Sequence, residues 1–297
     1  MTSRRDFLAL APGLLAPLSS MAQQAGTDSM LRFNTTQGLI DIQLYDTGAP
    51  NTVANFLGYV RRKSYEGSIF HRSVPGFIVQ AGGFAYTDAS RGITAVPAQV
   101  PVINEFSATR SNVRGTVAMA KLGGNPNSAT NQWFVNLANN SSNLDTQNGG
   151  FSVFGRVTTS GMVVFDAIAR LRTIDYRARS NNGALGELPV VNFTGTTVLP
   201  DNVVRVLSVT ELGSPATLSD SDRVFNYLEA TYPQFASPAD SGSGNALGYY
   251  YRYYRGTNSY VGTQGGSVFY LVPALSPDIT RLGSLADWLA IAAAEGY

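Results

Sequence analysis

Apolar and polar residues alternate across residues 31–44, with Leu31 and Phe33 before Gln37-Gly38 and Ile40, Ile42 and Leu44 after it. A period of two on either side of a glycine turn predicts a β-hairpin. Pro50 then opens a stretch in which Val53, Phe56, Leu57 and Val60 keep the i, i+3, i+4, i+7 spacing of a helix with one buried face, ending near Lys63. A second hairpin is expected over residues 70–83: Phe70 and Arg72 share a face before Pro75-Gly76, and Ile78 and Gln80 share one after it. Residues 84–101 read as a loop rich in Gly, Ala, Thr and Pro. Strands are expected at 115–120, 131–137 and 151–157, and an amphipathic helix at 162–171 with Val164, Ile168 and Leu171 on one face. A long excursion rich in Asn, Gly and Pro covers 173–201, and an apolar strand at 203–212 follows it. About eight short strands with two helices argue for an antiparallel barrel, because each parallel pair would need a long crossover.

After Gly213-Ser214-Pro215 the pattern changes. Residues 219–231 read as a helix capped by Ser219, with Val224, Phe225 and Leu228 as its buried stripe. Strands are expected at 249–254, 259–261 and 267–272, then a last helix from Ser284 that buries Leu285, Trp288, Leu289 and Ala292. This predicts a small α+β domain over residues 214–297, of unassigned function and partner. Its tyrosine run puts Tyr249, Tyr251 and Tyr253 on one face and Tyr250, Arg252 and Tyr254 on the other, one face for the core and the other open to recognition.

Composition adds exclusions. The 297 residues carry a formal charge of +1 with basic residues scattered, which gives no footing for nucleic acid as a partner. There is no cysteine, so disulfides, thiol catalysis and thiolate metal sites are excluded. Residues 1–22 have the form of an export signal: Arg4-Arg5 followed by Phe7-Leu8, an apolar stretch to about Leu18, and small residues at Ser20 and Ala22 for cleavage. The paired arginines match the twin-arginine type, which predicts a periplasmic or secreted protein with no membrane insertion after signal cleavage.

The chemistry concentrates in residues 70–83, which hold the chain's one histidine, His71, and place Arg72 among apolar residues. Arginine keeps its charge at any ordinary pH, so it offers a fixed fork of donors and no proton shuttle. Alternation turns His71 away from Arg72, and a single histidine without cysteine makes a poor metal site, so no cofactor or metal is expected.

The spelling F-H-R-x-x-P-G-F-x-x-Q-x-G-G over residues 70–83 closely resembles the signature of the cyclophilin family of peptidyl-prolyl cis-trans isomerases. Three further segments resemble the family. They are Gly115-Thr116-Val117-Ala118-Met119-Ala120-Lys121, the run from Ser128 to Phe134, and Leu144-Asp145 with Phe151-Ser152-Val153-Phe154-Gly155. For residues 30–213 the resemblance implies a mainly β fold, a closed eight-stranded barrel with a helix over each open end. It implies Arg72 as the catalytic donor, Gln80 orienting its guanidinium, and Phe77, Ile78 and Phe134 as the proline pocket. Ala120, the backbone of Lys121, Gln132, Leu144 and Phe151 would line the groove for a proline-containing polypeptide. Asn143 stands where cyclosporin-sensitive members carry tryptophan, and Phe151 where many eukaryotic members carry histidine, so weak cyclosporin binding is expected.

Such a site suits rotation about an Xaa-Pro bond. The barrier, about 18–20 kcal/mol, comes from the amide nitrogen sharing its lone pair with the carbonyl. N–H donors aimed at that nitrogen localise the pair, and an apolar pocket that excludes water disfavours the charge-separated form. Bringing tens of seconds to an enzymic rate takes about 3–4 kcal/mol, the size of one charged hydrogen bond plus desolvation. The expected activity is isomerisation of Xaa-Pro bonds in exported proteins, assisting their folding as a chaperone. The rival is a non-catalytic module that docks prolyl peptides while residues 214–297 bind a partner or the envelope.

Overall fold

The computed structural model describes residues 28–88, 90–215, 217–232, 235 and 241–297. The expected export signal, residues 1–22, lies outside them. The first hairpin forms as β1 (Met30–Thr35) and β2 (Gly38–Leu44), and Leu31, Phe33, Ile40, Ile42 and Leu44 are fully buried. Helix α1 (Pro50–Arg61) follows with Pro50 in its first turn. Ala49 offers no side-chain cap. The carboxylate of Glu105 caps instead, accepting the Asn51 and Thr52 N–H groups at 3.1 and 2.7 Å. An anion there satisfies orphan donors and complements the helix dipole.

The chain continues through β3 (Arg72–Val74), β4 (Ile78–Ala81), β5 (Phe84–Tyr86), β6 (Ile93–Ala95), β7 (Thr116–Met119), β8 (Trp133–Asn136), helix α2 (Ser141–Leu144) and β9 (Val153–Val157). Helix α3 (Thr159–Ala169), β10 (Arg172–Ile174), β11 (Leu188–Val190) and β12 (Val206–Gly213) complete this part. Eight strands form one antiparallel sheet in the order β12-β1-β2-β9-β7-β8-β4-β3, while β5 pairs β6 and β10 pairs β11. The excursion at 173–201 is thus more ordered than its composition suggests.

A closed barrel was expected, and the sheet is instead an open, curled half-barrel with β12 and β3 as its edges. The cause lies at β3, three residues long, whose Ser73 N–H donates at 2.9 Å to the carbonyl of Glu187. The chain entering β11 takes the donor that a closing strand would need. Ahead of β3 the gap is crossed by the bridge of Ile69 to Arg205, with Phe70 N–H donating to the Val204 carbonyl at 3.0 Å and Val206 N–H to the Ser68 carbonyl at 2.8 Å, and by Gly67 N–H donating to the Val206 carbonyl at 2.8 Å.

The two long helices fill the curl. Phe56 of α1 lies 5.8 Å from Trp133 and 4.9 Å from Phe154, ring centre to ring centre, and Phe165 of α3 lies 5.7 Å from Phe70. All five side chains are buried, and such contacts add to the burial of aromatic area.

Helices α4 (Asp220–Thr231) and α5 (Leu285–Ala294) form as the periodicity predicts; Ser219 and Ser284 each accept a backbone N–H at 3.1 Å as caps. They pack on a five-stranded meander of β13 (Ser241–Ala246), β14 (Tyr249–Tyr254), β15 (Ser259–Gln264), β16 (Ser267–Leu271) and β17 (Thr280–Ser284). The outer strands β13 and β17 have no alternating apolar residues to announce them. The tyrosine run divides as expected: Tyr250 stacks on Phe225 of α4 and Tyr254 is fully buried, while Tyr253 packs beside Tyr260 at 4.5 Å on the opposite face.

This region joins the half-barrel through buried charge. Arg32 on β1 donates to Asp41 at 2.8 and 2.7 Å, pairs with Glu229 of α4, and donates to the Asn226 carbonyl at 2.7 Å. Glu229 also accepts from Arg252 at 2.7 Å, and the Tyr297 hydroxyl donates to Asp41 at 2.5 Å. Buried ions persist only when paired and hydrogen-bonded, and each charge here is.

Candidate functional site

Strand register builds the site. Arg72 on β3 is opposite Gln80 on β4, Gln80 opposite Phe134 on β8, Phe134 opposite Ala118 on β7, and Ala118 opposite Val153 on β9. Directly opposed residues in antiparallel pairs point to the same face with Cα atoms about 4.5–5.5 Å apart. Five strands therefore present one continuous row, cationic at the edge strand and apolar toward the middle of the sheet. Period-two alternation turns Trp133 to the opposite face, into the main core.

The apolar part is a separate buried cluster of Ile78, Ala118, Phe134, Leu144 and Val153, with Phe77, Ala120, Phe151 and Tyr45 packed against it. Phe151 meets Phe134 edge-on at 5.7 Å. The turn carrying Phe77 is pinned through its carbonyl, which accepts from Leu137 N–H at 2.8 Å and the Asn140 amide at 2.9 Å. Leu144 is held by its neighbour: Asp145 accepts from the Ser111 hydroxyl and from the Asn112 backbone and amide at 2.9 and 2.8 Å. Burial would raise the Asp145 pKa, but these donors outweigh it and hold the carboxyl below its ordinary value. The Leu-Asp pair is thus a pocket wall and its anchor.

Lys121 contributes more than backbone. Its ammonium donates to the carbonyl of Asn148 at 2.8 Å and to that of Gly150, and it stands 4.8 Å from the centre of the Phe151 ring. Burial pushes its pKa below the ordinary value. The side chain ties down the loop that delivers Phe151.

The polar end differs from expectation. Gln80 was expected to orient the Arg72 guanidinium, yet its amide donates to the Gln132 side chain at 2.8 Å. Arg72 is held by Glu187, its Nε donating to a carboxylate oxygen at 2.7 Å, and neither Nη makes a hydrogen bond among the described residues. Close packing against residues 131–133 explains the paired glycines. A Cβ on Gly83 would come within 2.6 Å of the Gln132 side chain, and one on Gly82, whose φ is +85°, within 2.3 Å of the Asn131 carbonyl oxygen. Glu187 was missed because it lies in the irregular excursion, where no periodicity marks a partner 115 residues away.

His71 is fully buried with its ring 4.8 Å from Phe84 and edge-on to it. Burial pushes its pKa down to about 4, so at neutral pH it is an uncharged core residue. Among the described residues no three His, Cys, Asp or Glu side chains gather as a metal site would require.

A curled antiparallel sheet thus carries on one face a partly exposed arginine at its edge strand and an apolar pocket toward its middle. Comparison with known proteins specifies the class. Residues 30–185 match the family model described as cyclophilin type peptidyl-prolyl cis-trans isomerase. A peptidyl-prolyl cis-trans isomerase of Acinetobacter baylyi is 41% identical over 57% of this chain and 84% of its own length. Peptidyl-prolyl cis-trans isomerase B of Escherichia coli is 39% identical over 48% of this chain and 86% of its own. A Cryptosporidium parvum cyclophilin-type isomerase, crystallised in the presence of the dipeptide Ala-Pro, superposes with a TM-score of 0.44 at 18% identity, covering 61% of this chain and 98% of that one. The chain belongs to the cyclophilin-type peptidyl-prolyl cis-trans isomerase family.

Proposed function

We propose that this isomerase works through Arg72, whose two free Nη groups donate toward the nitrogen of a proline seated on Ile78, Phe77 and Phe134. The observation that supports the reading is the cross-strand row, in which Arg72 shares a register line with Gln80, Phe134 and Ala118. The substrate backbone runs along Gln80, Gln132, Ala120 and Lys121, with Leu144 and Phe151 at the rim. A proline there loses water from its carbonyl while a cation approaches its nitrogen, and both effects favour the twisted amide. Substrates are proline-containing polypeptides.

We assign residues 1–22 to export of the twin-arginine type and residues 30–213 and 214–297 to two domains. Two apolar clusters support the division, one around Phe56 and Trp133 and one around Phe225, Tyr254 and Trp288, the second also taking in Met30 of β1 and Leu212 of β12. The working place is then the periplasm or the exterior, and the task is to speed folding of exported chains. Asn143 is exposed and leaves the rim without an indole, so cyclosporin binds weakly.

The test is an Xaa-Pro isomerisation assay on the protein and its Arg72→Ala variant. Losing one charged hydrogen bond from a group one-third exposed should cost about tenfold or more in kcat/KM. Equal rates would overturn the role of Arg72 and favour a prolyl-peptide binding module. Nanomolar cyclosporin inhibition would overturn the rim reading.

A further inference from the structure

We infer that Glu187 is the positioning residue for Arg72. The inference rests on the proposed role of Arg72 and assigns the orienting of its guanidinium to a carboxylate outside the family motif. An arginine tethered at Nε is fixed in the plane of its guanidinium while both Nη groups stay free to donate. That is the arrangement here, with Nε donating to Glu187 at 2.7 Å.

Three observations make Glu187 a built tether. Its own backbone is fixed on β3, because its carbonyl accepts the Ser73 N–H at 2.9 Å, one residue from Arg72. The next residue, Leu188, is fully buried and pairs with Ile174 across β10 and β11, so the chain cannot swing away without uncovering apolar surface. The other cation of the same groove is occupied: Arg177, which with Arg72 and Glu187 lines a groove of about 460 Å³, is engaged by Asp175 at 3.0 and 2.5 Å.

Direction matters as much as distance. β3 is the edge strand, with β4 and the pocket on one side and the Glu187 stretch on the other. The carboxylate therefore holds Arg72 from the side away from the pocket. Gln80 sits on the pocket side, tied to Gln132 and free of the guanidinium.

The experiment measures isomerisation over a range of peptide concentrations for the full chain and for Glu187→Ala, Glu187→Gln and Arg72→Ala. The Nε–Hε signal of Arg72 is followed by NMR in the first three. Both partners are partly exposed, 34% and 45%, so removing the tether should lower kcat about three- to fivefold with little change in KM. The Arg72 Hε should exchange faster with water in Glu187→Ala, while Glu187→Gln, which keeps an acceptor, should retain most of kcat and of the protection. A wild-type or higher kcat in Glu187→Ala, or an unchanged Hε signal, overturns the inference. If Arg72→Ala is inactive in the same series, that failure belongs to Glu187 alone. An active Arg72→Ala overturns the reading of Arg72 itself and the inference with it.

Discussion

Gly82 and Gly83 are adjacent in the motif, yet their alanine variants should fail in different ways. A methyl on Gly82 meets backbone, the Asn131 carbonyl oxygen at 2.3 Å, and the Trp133 ring at 2.8 Å, with φ at +85°. Neither neighbour can yield: Asn131 is buried beside β8 and Trp133 is core. Strain in the left-handed region plus overpacking should cost about 2–4 kcal/mol of folding stability. The nearest atoms to a methyl on Gly83 belong to the Gln132 side chain, at 2.6 to 2.8 Å. That side chain can rotate away, which costs little stability, but it must release Gln80, to which it is bonded at 2.8 Å. One neutral hydrogen bond is worth about 1 kcal/mol, so Gly83→Ala should lose about fivefold in kcat/KM while its stability changes by less than about 1 kcal/mol. Urea unfolding and the isomerase assay separate the two effects. Adding Gln132→Ala to Gly83→Ala removes the obstacle, and the double variant should regain stability without regaining activity. A Gly83→Ala protein with full activity would show that the Gln80–Gln132 pair has no part in the reaction.

Other expectations follow from the buried charges and the rim. His71 titrates near 4 when folded against an ordinary value of 6.5, so the unfolded chain binds the extra proton first as pH falls. Its contribution is constant above about 6.5 and is lost as pH drops toward 4, about 3 kcal/mol in all. Urea unfolding at several pH values should show this loss, and His71→Phe should abolish that part of it. Glu229→Ala leaves Arg32 and Arg252 each short of a buried partner, which should destabilise the protein by about 3 kcal/mol in thermal or urea unfolding; a change under about 1 kcal/mol would refute the buried-hub reading. Lys121→Met keeps much of the stem's packing but frees the carbonyls of Asn148 and Gly150, so KM for a prolyl peptide should rise about threefold with kcat little changed.

Periodicity made much of this fold readable. The hairpin at Gln37-Gly38, the buried stripe of α1 and the serine caps of α4 and α5 are local features, set by residues within a few positions of one another. Alternation also placed Phe134 opposite to Trp133, and the two side chains join different apolar clusters. What escaped the sequence is non-local. β13 reads Ser-Gly-Ser-Gly-Asn-Ala and becomes a strand because β14 offers it a ladder, not because of any pattern of its own. The open edge at β3 escaped for the same reason, since the donor that closure would need is taken by a carbonyl more than 100 residues later.

That edge also accounts for the division of labour at the site. A residue in the middle of a sheet has neighbours on both sides to fix its side chain, and Phe134 between Gln80 and Ala118 is one such residue. Arg72 on the outermost strand has a register partner on one side only, and that partner is bonded elsewhere. An edge position leaves a cation open to an incoming peptide. It also leaves four rotatable side-chain bonds to be restrained by something outside the sheet, and burying or ordering such a chain costs about 1.5–2 kcal/mol in lost rotamer freedom. The Glu187 stretch meets this need with two bonds to β3, one from the Ser73 backbone and one from the Arg72 side chain. The same segment that keeps the half-barrel from closing thus prepares its cation, and the segment 173–201, the least patterned of the half-barrel sequence, is where differences in activity from a relative should first be sought.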